Sequence, residues 1–164
     1  MNEENKINVV EMQFANALLL PEIIKLLEEG HSVTLQLRGF SMRPFLEDKR
    51  DKALLVKPDI NKMKVGDAVL AKVAPKHYVL HRIIKISNDD VTLRGDGNLA
   101  TENCKLSDVK AAVNGFYRKG RKQMDRTDGK KWLIYSAIWT HLYPIRRYLL
   151  AAYRRIWIPI FGTI

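Results

Sequence analysis

Six short segments between residues 33 and 117 alternate apolar and polar side chains or form brief apolar runs. They are VTLQL at 33–37, ALLV at 53–56, AVLAKV at 68–73, YVLHRIIKI at 78–86, VTL at 91–93 and VKAAVNGFY at 109–117. Such segments, rich in β-branched residues and too short for ordinary helices, are typical of β-strands. Turn-forming Pro, Gly, Asp and Asn residues lie in the connections. The sequence therefore predicts a mainly β domain with an antiparallel sheet.

The chain before these segments changes to helical spacing. Residues 18–29, LLLPEIIKLLEE, carry apolar side chains about one helical turn apart, and Gly30 is placed to end the helix. We therefore expect a short amphipathic helix within an N-terminal helical segment over residues 1–31. No basic region leads into an apolar stretch here, so we do not expect a secretory signal.

Positive charge is concentrated towards the C-terminal end of the chain. Residues 118–164 hold 11 Lys and Arg against 2 Asp and Glu, whereas residues 1–117 hold 17 against 16. This shift separates a neutral β domain over residues 32–117 from a basic, aromatic-rich helical tail over residues 118–164. Cys104 is the one cysteine in the sequence, which excludes an internal disulfide and favours the cytoplasm as the location.

The tail combines its arginines with apolar and aromatic side chains. A helix over residues 145–156 would have an apolar and a basic face, formed by Ile145, Tyr148, Leu149, Ala152 and Ile156 and by Arg146, Arg147 and Arg154. Such a helix suits peripheral contact with anionic lipid at the inner membrane face. It equally suits packing against the β domain, or in a partner's groove, with a solvated basic face. Nucleic acid is not an expected partner, because phosphate binding would not use the apolar residues.

A membrane-spanning helix is not predicted. The longest run without a formal charge covers residues 132–145. A helix that crosses a bilayer needs roughly 20 predominantly apolar residues, which is more than this run provides.

The segment GFSMRPFL at 39–46 is unusual for a connection between two strands. Gly39 frees the backbone at the strand end, and Pro44 biases Arg43 towards extended geometry, so Ser41 is expected on a stiff bend. Such a bend can present one hydroxyl to a neighbouring base. A lone serine in a loop is more often a turn-forming residue, so the interpretation of Ser41 as a nucleophile depends on its neighbours.

A serine nucleophile needs a base, and His81 is the candidate. It shares a strand face with Val79 and Ile83, where apolar neighbours would lower the imidazole pKa and keep the ring neutral. A structural histidine bonded to the backbone is the alternative. A carboxylate would hold the tautomer of the ring. Asp96 in the turn RGDGN is the first candidate, against an ordinary turn aspartate, and Glu102 is a second acid nearby.

Four motifs in this order resemble one peptidase superfamily: GFSMRPF, VGDAVL at 65–70, YVLHRII at 78–84 and RGDGN. The superfamily unites type I signal peptidases with the self-cleaving phage and SOS repressors, and the resemblance covers about residues 32–117. Because a histidine stands where bacterial members have lysine, the chain is similar to the Ser-His branch of endoplasmic-reticulum and archaeal signal peptidases. The resemblance implies Ser41 as nucleophile, His81 as general base and Asp96 as orienting carboxylate. Glu102 stands where the branch usually has a further aspartate.

The resemblance also implies an activity and a way of holding the substrate. It implies a serine endopeptidase that hydrolyses a specific peptide or propeptide by acyl transfer, with no cofactor and no metal. In the family the peptide lies extended beside strands, so Leu37, Phe40, Met42 and Val79 are the candidates for substrate binding. We expect neither the family's N-terminal membrane anchor nor the repressors' DNA-binding domain here. A catalytically silent member of the fold that binds peptides or membrane is the alternative function.

Overall fold

The computed structural model describes residues 16–119, 121 and 123–164, so the first fifteen residues of the predicted N-terminal segment lie outside it. The fold is mainly β, as predicted, with a short N-terminal helix and a helical C-terminal segment. The strands are Val33–Gln36 (β1), Lys52–Val56 (β2), Ala68–Ala74 (β3), His77–Ser87 (β4), Asp90–Arg94 (β5), Glu102–Lys105 (β6), Val109–Tyr117 (β7) and Asp125–Arg126 (β8). The helices are Asn16–Glu28 (α1), Lys130–His141 (α2), Arg146–Ala152 (α3) and Ile158–Phe161 (α4), and a π-helical turn at Tyr153–Trp157 joins the last two.

The described strands form one antiparallel sheet in the order β1-β2-β7-β3-β4-β5-β6, and β8 pairs with the end of β7. Register shifts in β2, β3 and β4 bend the strands, and the sheet curls. All six predicted strands are present, with ends within one residue of the predicted ends. The short strands β6 and β8 were not predicted.

The curled sheet carries a hydrophobic core on each side. Neighbouring residues of β3 belong to different cores, Leu70 to the first and Val69 to the second, because side chains alternate along a strand. The first core is the larger and contains buried side chains from the sheet, from α1 and from α2, among them Leu27, Leu55, Val113, Phe116 and Trp132. The second core consists of Val69, Ala71, Ile83, Val91, Leu93 and Val109.

Helix α1 is present as predicted and covers the first core with one face. Leu20, Ile23 and Leu27 are buried, whereas Leu26 is 41% exposed. The helix ends before Gly30, whose φ of +92° is a conformation that glycine adopts without strain.

The C-terminal tail is packed into the β domain through α2. Trp132 is 2% exposed and contacts Phe45 and Phe116, with ring centroids 5.3 and 4.9 Å away. The packed structure therefore continues past residue 118, where the charge of the sequence changes. Within the residues that the structure describes, no helix has the length and apolar character needed to cross a membrane.

Candidate active site

Ser41 lies in the turn that follows β1, on the predicted bend. Gly39 has φ +85°, and its N–H donates to Oδ1 of Asp48 at 2.7 Å, so the chain turns sharply just before the serine. A cis peptide bond joins Arg43 and Pro44. The turn thus leaves the strand direction and carries the partly exposed Ser41 away from the ladder of the sheet.

Contacts on both sides hold this turn in place. Met42 is buried in the first core. The guanidinium of Arg43 donates to Glu47, with Nε 2.9 Å from Oε2. On the other side, the N–H of Gly97 donates to the carbonyl oxygen of Ser41 at 2.7 Å. The backbone of Ser41 is therefore joined directly to the turn that follows β5.

Ser41, His81 and Gly95 approach one another closely, so the serine and the histidine meet at the glycine. A Cβ on Gly95 would collide with the carbonyl oxygen of Ser41, and it would lie 3.0 Å from both His81 Nε2 and Ser41 Cβ. Nε2 of His81 and Cβ of Ser41 are therefore no more than twice 3.0 Å apart. Only glycine leaves room for both groups at this point.

His81 is buried on the side of the second core, opposite Val69 of β3. The residue is 3% exposed, and this burial lowers the pKa of the imidazole, an effect that the Glu102 carboxylate partly offsets. The ring is therefore neutral at neutral pH. A neutral imidazole is the form that accepts a proton from a hydroxyl.

The carboxylate that contacts the imidazole belongs to Glu102. Its Oε2 lies 3.0 Å from Nδ1 of His81. Glu102 comes from β6, where it pairs with Leu93 of the neighbouring strand β5. With its proton on Nδ1 and donated to Glu102, the neutral ring presents the lone pair of Nε2 on the side of Ser41.

Asp96 has other partners, all on the opposite side of the sheet from the imidazole. Arg82 donates to both of its carboxylate oxygens, from Nε at 2.9 Å and from Nη2 at 2.7 Å. The hydroxyl of Tyr135 donates to Oδ2 at 2.9 Å, and Trp139 Nε1 donates to the carbonyl of Asp96 at 2.9 Å. Burial and the neighbouring carboxylate raise the pKa of Tyr135, so this hydroxyl keeps its proton. Asp96 thus connects β4, the turn and α2.

The prediction that Asp96 lies against the imidazole is therefore corrected: the carboxylate in contact with His81 is that of Glu102. His81 and Arg82 are consecutive in β4, so their side chains point to opposite faces, and Asp96 lies on the face of the arginine. The sequence signal for Glu102 was its place where the family that the four motifs resemble usually has an aspartate. The extra methylene of glutamate does not prevent it from reaching the imidazole.

The predicted substrate-binding residues separate into two groups. Leu37 and Met42 line a cavity of about 50 Å³ that Ser41 borders. Phe40 is 51% exposed and stacks on the guanidinium of Arg43 outside that cavity. Val79 packs on the second core and is also outside the cavity. Its neighbour in β4 lines the cavity instead, because alternate residues of a strand face opposite ways, and that neighbour is Leu80.

Comparison with models of known protein families, with curated proteins and with solved structures finds no match to this chain. The resemblance carried by the four motifs therefore stays a prediction. Within the described part of the chain, no group of three or more His, Cys, Asp or Glu side chains is placed to hold a metal ion.

Proposed function

We propose that the chain is a serine endopeptidase of the signal-peptidase type, in which Ser41 is the nucleophile, His81 the general base and Glu102 the carboxylate that orients His81. The observation that carries the proposal is the arrangement around one imidazole. Its Nδ1 lies 3.0 Å from Glu102, its Nε2 is turned to the point where Ser41 and Gly95 meet, and its burial keeps it neutral. These are the parts that activate a serine hydroxyl.

The proposed reaction begins when Ser41 Oγ attacks a peptide carbonyl and His81 Nε2 takes the hydroxyl proton. The imidazolium that forms is stabilised by Glu102, and it then gives the proton to the leaving amine as the peptide bond breaks. Water, activated by the same histidine, releases the acyl group from Ser41. The backbone N–H groups of Ser41 and Met42 have no acceptor among the described residues, so they are available to the oxyanion.

The shape of the site favours a peptide with a small side chain next to the cleaved bond. The cavity beside Ser41 has a volume of only about 50 Å³, and its wall contains the apolar Leu37 and Leu80 as well as the charged Arg38 and Glu47. In the described sheet, β1 is an edge strand that leads directly into the serine turn. An extended peptide added to this edge would place one side chain in the cavity.

Covalent labelling tests the proposal without knowledge of the substrate. The protein is treated with a fluorophosphonate, and intact mass is measured before and after. We expect a single adduct, mapped to Ser41, because an activated serine attacks the phosphorus of such a reagent and displaces fluoride to form a phosphonyl ester. Ser41→Ala should give no adduct, whereas Ser32→Ala, at an exposed serine before β1, should label like the native protein. An adduct that persists in Ser41→Ala contradicts the proposal.

A change at Gly95 should disturb the same site without removing any of its functional groups. Gly95→Ala forces the carbonyl of Ser41 and the ring of His81 apart, since the new Cβ occupies the space between them. We expect the rate of Ser41 labelling to fall by about 10²-fold, the cost of displacing reacting groups by roughly 1 Å. Gly129→Ala, at a glycine with negative φ before α2, is the matched control and should keep the native rate. Labelling of folded Gly95→Ala at the native rate would show that Ser41 and His81 do not act together.

One observation favours the silent binding module as a second candidate. Among the described residues, Ser41 Oγ forms no hydrogen bond with His81 Nε2, although such contacts often tighten only when a substrate binds. A native protein that binds peptide but gains no mass from the reagent would favour this second function.

A further inference from the structure

The helical C-terminal segment exposes most of the large apolar side chains on the described surface. Of the seventeen large hydrophobic residues that are exposed, eleven lie at or after residue 133. They are Leu133, Ile134, Ile138, Tyr143, Ile145, Tyr148, Ile156, Trp157, Ile160, Phe161 and Ile164. Scattered exposed apolar residues need no explanation, but a concentration of this kind marks a binding surface.

The last two turns of the segment form a continuous apolar face. Ile156, Trp157, Ile160 and Phe161 are between 44% and 67% exposed. They stand one turn apart on the helix, and the rings of Trp157 and Phe161 are in contact, with centroids 4.8 Å apart. We call these four residues the apolar face.

This face is not the one that attaches the segment to the β domain. The buried residues of the same stretch are Arg146, Leu150 and Tyr153. Arg146 donates to the carbonyl of Trp139 in α2, so even the anchoring contacts use an arginine that the sequence had assigned to a solvated face. Leu150 and Tyr153 therefore pack inward, whereas Arg147 and Arg154 of the predicted basic face and Ile145, Tyr148 and Ile156 of the predicted apolar face are exposed.

The same segment also contributes three arginines to the lining of a cavity. The cavity has a volume of about 210 Å³, and its lining residues are Gly97, Leu99, Arg147, Leu150, Ala151, Arg154 and Arg155. None of them is acidic. Arg154 donates to the carbonyl of Gly97 at 3.2 Å and Arg147 to the hydroxyl of Tyr148 at 2.7 Å, so these two guanidinium groups are held by neutral partners. We call this space the arginine cavity.

We propose that the apolar face and the arginine cavity together bind a bilayer that contains anionic phospholipid. The apolar face would enter the boundary between headgroups and acyl chains, where Trp and Phe side chains are favoured, and the arginine cavity would receive a phosphate group. The residues from 118 onward carry 11 basic groups against 2 acids, which complements such a surface. Nucleic acid would use the arginines but not the apolar face.

This proposal places the proposed peptidase at a membrane, but lipid binding does not depend on peptidase activity. The wall of the arginine cavity includes Gly97, whose N–H holds the carbonyl of Ser41. A headgroup in the cavity would therefore lie next to the turn that contacts the serine. Lipid binding itself needs neither Ser41 nor His81, so Ser41→Ala should bind vesicles like the native protein.

Trp157 provides a direct measurement of binding. Of the three tryptophans, Trp132 and Trp139 are 2% and 9% exposed, whereas Trp157 is 44% exposed. Vesicles of phosphatidylcholine with one third phosphatidylglycerol are added to the full chain, and tryptophan emission and co-sedimentation are recorded. We expect a blue shift, quenching by brominated acyl chains, and binding that weakens as salt is added. Trp157→Phe should lose the spectral change but still sediment with the vesicles.

Two variants separate the parts of the surface, and a third controls for added charge. Trp157→Glu/Phe161→Glu should lower vesicle binding by about tenfold or more, because it removes apolar area and adds negative charge. Arg154→Gln/Arg155→Gln should lower binding to the mixed vesicles and reduce its salt dependence. Leu26→Glu/Ile60→Glu adds the same charge at exposed apolar residues outside the tail and should bind like the native protein.

Three results would overturn the proposal. The first is equal binding to pure phosphatidylcholine vesicles, which would exclude a role for the arginines in recognising anionic lipid. The second is no binding to either vesicle by folded protein. The third is self-association in the absence of lipid that Trp157→Glu/Phe161→Glu abolishes, which would assign the apolar face to a second copy of this chain.

Discussion

Replacement of Glu102 by glutamine is expected to slow the reaction of Ser41 with a fluorophosphonate by about 10⁴-fold at neutral pH, the loss that removal of the orienting charge causes in serine peptidases. A glutamine amide can donate to Nδ1 of His81, and the ring then carries its proton on Nε2. That tautomer cannot accept the proton of Ser41. The second-order rate constant for fluorophosphonate labelling, followed by intact mass, measures the effect.

The same substitution should also move the acid limb of the pH–rate profile to lower pH. Burial lowers the pKa of His81, and the carboxylate of Glu102 opposes that effect. In the native protein the rate should therefore fall only as the pH drops below the ordinary histidine pKa of about 6.5. Without the carboxylate the imidazole pKa decreases further, and protonation blocks the base only at a lower pH.

Two controls make this result specific to Glu102. Glu28→Gln changes an exposed glutamate of α1 and should alter neither the rate nor the midpoint of the acid limb. His81→Ala gives the labelling rate of Ser41 in a site that lacks its base. If Glu102→Gln labels slowly but keeps the native midpoint, Glu102 supports the structure of the site and does not act on the charge of His81.

The sheet could be predicted because its central strands have an unambiguous composition. Segments such as AVLAKV and YVLHRIIKI are rich in β-branched residues and lie between turn formers, so both their type and their ends were found. The strand β6, with the sequence ENCK, has no β-branched residue and lies at the edge of the sheet. It forms because it pairs with β5, a tertiary contact that local composition does not report.

The same missing strand explains why Asp96, and not Glu102, was predicted to contact His81. Without β6, Glu102 had no predicted direction, whereas Asp96 stood in a recognisable turn. The sequence does contain the reason why Asp96 has another partner: Arg82 directly follows His81 in the strand and points to the opposite face. A buried arginine needs a carboxylate, and Asp96 is the one that reaches it.

The two alternatives for the tail could not be separated from its sequence, because helical spacing shows which residues share a face but not which face is covered. In the structure the tail packs on the β domain through residues outside the predicted apolar face. The tail docks with Trp132, Ser136 and Trp139 of α2, all of them buried. Of the later apolar residues, Leu150 and Tyr153 are also buried, whereas Ile156, Trp157, Ile160 and Phe161 are exposed.

Removal of the Asp96 carboxylate should destabilise the protein more than any of the surface changes described above. Asp96→Ala leaves Arg82 2% exposed and without its carboxylate, in contact with the ring of Trp132. An uncompensated buried charge of this kind lowers the free energy of unfolding by about 3–5 kcal/mol. Urea denaturation followed by circular dichroism measures the loss. Asp90→Ala, which removes the partner of Lys105 at an exposed position, should change the stability by about 0.5 kcal/mol or less.

A second substitution distinguishes the unpaired charge from the loss of the turn itself. In Asp96→Ala/Arg82→Met the guanidinium is absent, so most of the penalty should disappear, and the double variant should be more stable than Asp96→Ala alone. The Tyr135 hydroxyl still lacks its acceptor and accounts for a remaining loss of about 1–3 kcal/mol. If the double variant is as unstable as Asp96→Ala, the charge of Arg82 is not the cause, and Asp96 acts through Tyr135 and the shape of the turn that holds Ser41.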